Sequence, residues 1–162
     1  MKLVKADKFY NRKEVEDDKT TMYIFTDNTN RDSGANLIPD DSWYATKYGT
    51  GKHYPQVTSA LIRGLDNAYP ITTQHWYNKE KKGIFGRWND EDFDEFKKVI
   101  DDDFNEIIKN LKKYNRIIFP FGGFFNTKIS NISESRVPQL HKYLFDKIQE
   151  LKLEIDMNNA DR

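Results

Sequence analysis

Residues 89–114 constrain the chain most. Phe93, Phe96, Val99, Ile100, Phe104, Ile107, Ile108 and Leu111 recur at steps of three, one and four, which places them on one face of a helix. Asn89 suits the N-cap, Asp90, Glu91 and Asp92 fill the positive first turn, and Lys109, Lys112 and Lys113 lie near the negative end. A long helix with one apolar stripe needs a layer to cover it, and the rest of the chain supplies one. Residues 22–25 (MYIF), 68–73 (AYPITT) and 117–119 (IIF) are short β-prone runs that stop at turn residues. A second helical pattern begins near Ser133 or Ser135 and puts Val137, Leu140, Leu144, Ile148 and Leu151 on one face. Strands followed by amphipathic helices predict one α/β domain with a mostly parallel sheet. Its expected span is residues 22–156, with a charged peripheral arm at 1–21 and a frayed tail at 157–162. Within it, Pro70 demotes its strand to an edge or a strand end, residues 55–63 read as a short helix stopped by Gly64, and residues 35–54 lack a period.

Charge and composition narrow the partners. The 26 basic and 26 acidic residues cancel, which removes the broad field that collects phosphates and weighs against a nucleic-acid duplex. The absence of cysteine excludes disulfides, a thiolate nucleophile and a cysteine zinc site. His53, His75 and His141 show no metal-ligand spacing, so neither metal nor cofactor is expected. No apolar window approaches the eighteen or so residues of a membrane helix, and the N-terminus lacks the apolar core of a secretory signal. The expectation is a cytoplasmic protein with no membrane partner.

In a parallel sheet the ligand crevice lies beyond the carboxyl ends of the strands, where three polar loops converge. After the first strand comes TDNTNRDSG, residues 26–34. There Asp27 can accept from a purine amine or a ribose hydroxyl, Asn28 can do either job, and Arg31 can meet a phosphate in bidentate fashion. Turn residues that satisfy their own backbone are the other reading of this stretch. After the second strand, Thr72, Thr73, Gln74, His75, Trp76 and Tyr77 could form a pocket wall, although a lone histidine such as His75 is more often structural. After the third, FGGFF at residues 121–125 offers glycines that let the backbone wrap a phosphate, with Phe124 or Phe125 to cover a sugar or base; the alternative is a tight turn with core phenylalanines. GTGKH at residues 49–53 fails as a phosphate loop, since Thr46 stands where the first glycine belongs and His53 replaces Ser or Thr. Lys52 and Arg63 could still reach a phosphate but read more readily as solvated surface, and the acidic runs 90–94 and 101–103 as cap and solvated face.

Three blocks in this order carry a resemblance: residues 24–28 (IFTDN) with Arg31 and Gly34, residues 67–73 (NAYPITT), and residues 117–120 (IIFP) with Gly122 and Gly123. Together they resemble a group of small phage and bacterial proteins of macrodomain-like character. The resemblance implies a single three-layer α/β/α domain, with a mixed, mostly parallel sheet, that holds ADP-ribose or a related nucleotide across the strand ends. Asp27 and Asn28 would read base or ribose, and Gly122, Gly123 and Phe124 would cradle phosphates. Trp43, Tyr44, Trp76 or Phe125 would stack on a ring, and Asn126 marks where the usual loop pattern stops. For a phage protein, in the host cytoplasm, it further implies sequestration of a signal such as a cyclic ADP-ribose, a counter-defence role.

No Gly-x-Ser-x-Gly elbow or His-Glu-x-x-His pair exists, so binding without turnover is the simpler expectation. An ADP-ribosyl hydrolase or phosphatase using Asp27 or His75 as base is the alternative, and a protein-interaction module with exposed aromatics a third. The expected partner is a small nucleotide, with a homodimer left open.

Overall fold

A computed structural model describes residues 1–32, 34–75, 87–122 and 132–160. Trp76, Gly123, Phe124, Phe125 and Asn126 lie outside the described residues. In chain order the elements are β1 (Lys2–Lys5), α1 (Arg12–Asp17), β2 (Thr21–Asn28), β3 (Asn36–Leu37), α2 (Trp43–Tyr48), β4 (His53–Tyr54), β5 (Ala68–Gln74), α3 (Phe93–Asn110), β6 (Arg116–Phe119) and α4 (Pro138–Ala160). Four strands form a wholly parallel sheet in the order β1-β6-β2-β5, while β3 and β4 make a small antiparallel pair. Among the described residues no helix is long and apolar enough to cross a membrane.

Both faces of the sheet are covered, which is why β2 reads as a continuous apolar run rather than an alternating one. Met22 and Ile24 of β2, Tyr69 and Ile71 of β5, and Ile117 and Phe119 of β6 pack against α3 and α4. Tyr23, Phe25, Ala68 and Ile118 face the other way, onto Val15 of α1, Tyr44 of α2 and the turn Ser59–Ile62. Each fully buried Phe or Ile contributes about 1.5–3 kcal/mol.

The long helix is present with tightened ends. One turn of 3₁₀ geometry, Asp90–Asp92, precedes α3, and another, Leu111–Lys113, follows it. The Asn89 backbone N–H donates to the Asp92 carboxylate at 3.0 Å, closing the start. Helix α4 begins at Pro138, later than Ser133 or Ser135, because Pro138 needs no N–H donor at the first turn. Ser133 instead accepts from Arg136 and Val137 just ahead of it.

The arm expected at 1–21 supplies an edge strand. Residues Lys2–Lys5 pair with Arg116–Phe119, and Leu3 packs against the core. The helix continues to Ala160 through the tail expected to fray, since Ile155 is buried and Asn159 Nδ2 donates to the Met1 carbonyl at 2.7 Å. Strand β5 is the opposite edge, as Pro70 requires. The Thr72 N–H points out of the sheet to the Asp103 carboxylate at 2.8 Å, so by the two-residue period the donor missing at Pro70 falls on the same open edge.

Pairing between β2 and β6 stops at Tyr23 and Ile118, whereas β2 stays paired with β5 as far as Asn28. Beyond that point the sheet divides. The Tyr10 hydroxyl enters the gap, donating to the Ile24 carbonyl at 2.7 Å and lying 3.3 Å from the Ile118 carbonyl. Asn67 ties the end of α1 to β2 through the carbonyls of Val15 and Asp18, each at 2.8 Å.

The turn after residues 59–62 depends on Gly64. Its φ is +92°, and an added Cβ would lie 2.7 Å from Ile38 Cγ2, a fully buried side chain. Gly64→Ala combines a left-handed backbone with overpacking and should cost about 2–4 kcal/mol in urea unfolding. A loss below about 0.5 kcal/mol would show that the turn relaxes and that Ile38 gives way.

Candidate functional site

Asp27 sits next to last in β2 and is 1% exposed. A carboxylate so buried needs partners for its lone pairs, and three side chains supply them. Arg63 donates from Nε at 3.0 Å and from Nη2, Tyr44 Oη donates at 2.6 Å, and Arg31 Nε lies 3.4 Å away. Arg63 also donates from Nη1 to the His53 carbonyl at 2.5 Å. Arg31 lies with Cζ 4.2 Å from the Tyr48 ring centre and reaches Thr72 Oγ1 at 3.3 Å. Burial works against the charge of Arg31, but Asp27, aided by Tyr44, Tyr48 and Asp103, outweighs it and raises its pKa. Burial first, then Asp27, raises Tyr44 far above the ordinary phenol range, so its hydroxyl remains a donor.

The network continues to Asp103 on α3. Its Oδ2 accepts the Thr72 N–H at the sheet edge, and its Oδ1 accepts from the Tyr48 hydroxyl at 3.1 Å. Burial pushes the Asp103 carboxyl up to about 7, against the opposing pull of Thr72 and Arg31. Asp103 is therefore a core group, 1% exposed, where a solvated face was expected. The sequence signal was its spacing: three after Ile100 and four before Ile107, it falls on the apolar stripe. Arg63 is likewise 3% exposed, drawn inward by Asp27, where solvated surface was expected. Lys52 pairs with Asp32 at 2.5 Å.

Beside this network, a cavity of about 820 Å³ opens where the sheet divides, within the roughly 300–1,000 Å³ of small-ligand sites. Thr26 and Asn28 enter it from β2, Thr73 and Gln74 from β5, Pro120 and Phe121 from the end of β6, and Phe9 and Tyr10 from the segment after β1. Residues 55–61, with Asn30 and Arg63, form its remaining wall. Consecutive strand residues normally point to opposite faces. Here Asp27 pairs with Thr72 but Asn28 with Gln74, and this bulge at Thr73 lets both Thr73 and Gln74 line the cavity. Ser59 Oγ accepts the Thr26 N–H at 2.9 Å and lies 2.7 Å from Thr26 Oγ1, joining the wall to β2. Arg12 braces the same wall through the carbonyls of Leu61 (2.9 Å) and Arg63 (2.8 Å). Thr58 holds φ +74°, a strained conformation for a β-branched residue, at the cavity wall.

The expected site residues divide into two groups. Asn28 and Thr73 line the cavity directly, and Gly122 follows its lining residue Phe121 with φ +66°, a left-handed turn that glycine adopts without strain. Asp27, Arg31, Tyr44 and Thr72 come together behind the cavity, committed to one another. Trp43 stacks on Tyr69 at 4.9 Å and donates to the Leu65 carbonyl, which occupies both its face and its N–H. His75 stacks on Trp88 at 4.0 Å, 3.3 Å from Thr29 Oγ1 and 3.8 Å from Glu95, and does not line the cavity. Phe9, Tyr10, Thr26, Ser59 and Phe121 as a lining residue were not anticipated as site residues. Only Thr26, at the head of the polar loop 26–34, and Phe121, within the glycine-rich turn, carried a local signal for it.

Residues 5–147 match a family of unknown function (DUF7831), and the chain belongs to that family. Neither a curated protein nor a solved structure matches it.

Asp27→Ala would remove the carboxylate that neutralises two buried guanidiniums and accepts from Tyr44, and should destabilise the fold by about 3–5 kcal/mol in denaturant unfolding. Asp103 makes stability depend on pH. Its carboxyl titrates near the ordinary value of about 4 in the unfolded chain and near 7 in the folded one. Its stabilising contribution is fully present below the unfolded value and is lost as pH rises through the folded one. The stability of Asp103→Asn relative to the native chain should therefore rise by a few kcal/mol between pH 4 and pH 8. A flat difference across that range would show that Asp103 is ionised throughout.

Proposed function

We propose that this member of the family is a nucleotide-binding protein of macrodomain-like build, which holds an ADP-ribose-like or cyclic nucleotide across the carboxyl ends of its strands. The observation that carries the reading is the cavity of about 820 Å³ at the point where β2 and β6 part, lined by amides, hydroxyls and aromatic rings from all four strand ends. That is the position and chemistry of a nucleotide crevice in a parallel sheet.

Sequestration is favoured over hydrolysis. Among the described residues the lining contains no carboxylate, imidazole or amine to act as general base. The two candidate bases are otherwise engaged: Asp27 is saturated by Arg63, Tyr44 and Arg31, and His75 is stacked on Trp88. A phage protein that binds a signal nucleotide in this way would lower its free concentration in the host, a counter-defence role.

Titration calorimetry with ADP-ribose, cyclic ADP-ribose isomers and cyclic dinucleotides should give saturable heat with at least one. Absence of heat with all of them would overturn the reading. Chromatography of ligand recovered after denaturing the complex should return it unchanged, and conversion to a product would establish an enzyme.

A further inference from the structure

The polar lining of the cavity is oriented by one group that cannot be turned around. The Asn30 backbone N–H donates to Asn28 Oδ1 at 3.0 Å, which leaves Nδ2 at the other end of that amide. Asn28 Nδ2 then donates to Gln74 Oε1 at 3.2 Å. A backbone N–H only donates, so both side-chain amides have one consistent orientation, and Gln74 is left presenting its Nε2 protons. Among the described residues nothing accepts those protons or the second proton of Asn28 Nδ2. The bulge at Thr73 is what places Gln74 beside Asn28 at the cavity.

The surroundings suit a flat, uncharged ring. Phe9 and Phe121 meet edge to face at 5.1 Å and line the cavity with exposed faces. Arg63 is the one cation in the lining among the described residues. Its guanidinium is spent on Asp27 and the His53 carbonyl, so it offers no free charge to a phosphate.

We propose that the Asn28–Gln74 amide pair is the base-reading element of the cavity. It selects a nitrogen heterocycle that presents two acceptors along one edge, as N7 and O6 do on a 6-oxopurine, over one that presents an amine there. The inference rests on the nucleotide-binding reading and narrows its ligand class. A 6-oxopurine offers two acceptors to the donor row of Gln74 and Asn28, whereas a 6-aminopurine sets a donor against those donors and leaves a desolvated N–H unpaired.

The test is calorimetry on matched pairs that differ at the base: ADP-ribose against its inosine counterpart, and cyclic di-AMP against cyclic di-GMP. In whichever pair binds, the oxo member should be tighter by about tenfold or more. Gln74→Glu keeps the acceptor for Asn28 Nδ2 and replaces the two donors by an acceptor, so it should cut that ratio by about tenfold or more, with an unchanged melting temperature as the control for folding. Equal or tighter binding of the adenine member, or an unchanged ratio in a folded Gln74→Glu protein, overturns base reading while nucleotide binding stands. If Gln74→Glu does not fold, the ratio in the native chain decides alone. No binding by any member overturns the nucleotide reading and this inference with it.

Discussion

The buried pairing of Asp27 with Arg63 organises this molecule. A carboxylate at the end of a central strand cannot stay ionised in an apolar layer without partners, and Arg63 meets it with two donors. That contact pins the chain after the turn Ser59–Ile62 against β2, and through the His53 carbonyl it also fixes the approach from β4. Gly64 next door lets the backbone turn away over Ile38. Replacement of the whole cluster by apolar residues of similar volume need not destabilise such a core. What the ion pair supplies is position: it holds the wall of the cavity in one register against the sheet.

The cavity itself follows from a failure of pairing. Strands β2 and β6 stop bonding at Tyr23 and Ile118, and the exposed carbonyls would be costly without a donor. Tyr10 supplies one and thereby keeps the two strands apart. On the other side of β2, the bulge at Thr73 turns two consecutive residues of β5 to the same space. Strain at Thr58 fits the same picture, since such conformations persist only where surrounding contacts over-determine them. Here the contacts at hand are Ser59 on Thr26 and Arg12 on the Leu61 and Arg63 carbonyls.

Polar and charged residues behind the cavity divide the labour with those that line it. Asp27, Arg31, Tyr44, Tyr48, Thr72 and Asp103 satisfy one another and close the open edge of β5. Among the described residues, the lining groups not committed to that network or to Arg63's ion pair are uncharged: amides, hydroxyls and aromatic rings. Proximity to the strand ends was legible for Asp27, Arg31 and Thr72 of the first set and for Asn28 and Thr73 of the second, which lie in or just after the ends of β2 and β5.

The sequence by itself determined the two long helices, three of the four strands of the sheet and the end of the sheet at which the cavity lies, but neither β1 nor the short elements within residues 35–54. The stripe on α3, the edge position of Pro70, the strand cores at 22–25 and 117–119, and the left-handed turn at Gly122 all rest on local periodicity and backbone preference. Tertiary structure alone decided which polar residues face the cavity and which face each other. Trp43 and Tyr44 belong to the core because Tyr69 and Asp27 reach them across the fold, and Arg63 is buried because a carboxylate 36 residues earlier demands it. Phe9, Tyr10 and Ser59 line the cavity only because distant segments meet where β2 and β6 part. Local pattern carries no record of such meetings, since burial and charge pairing are settled between residues far apart in the chain.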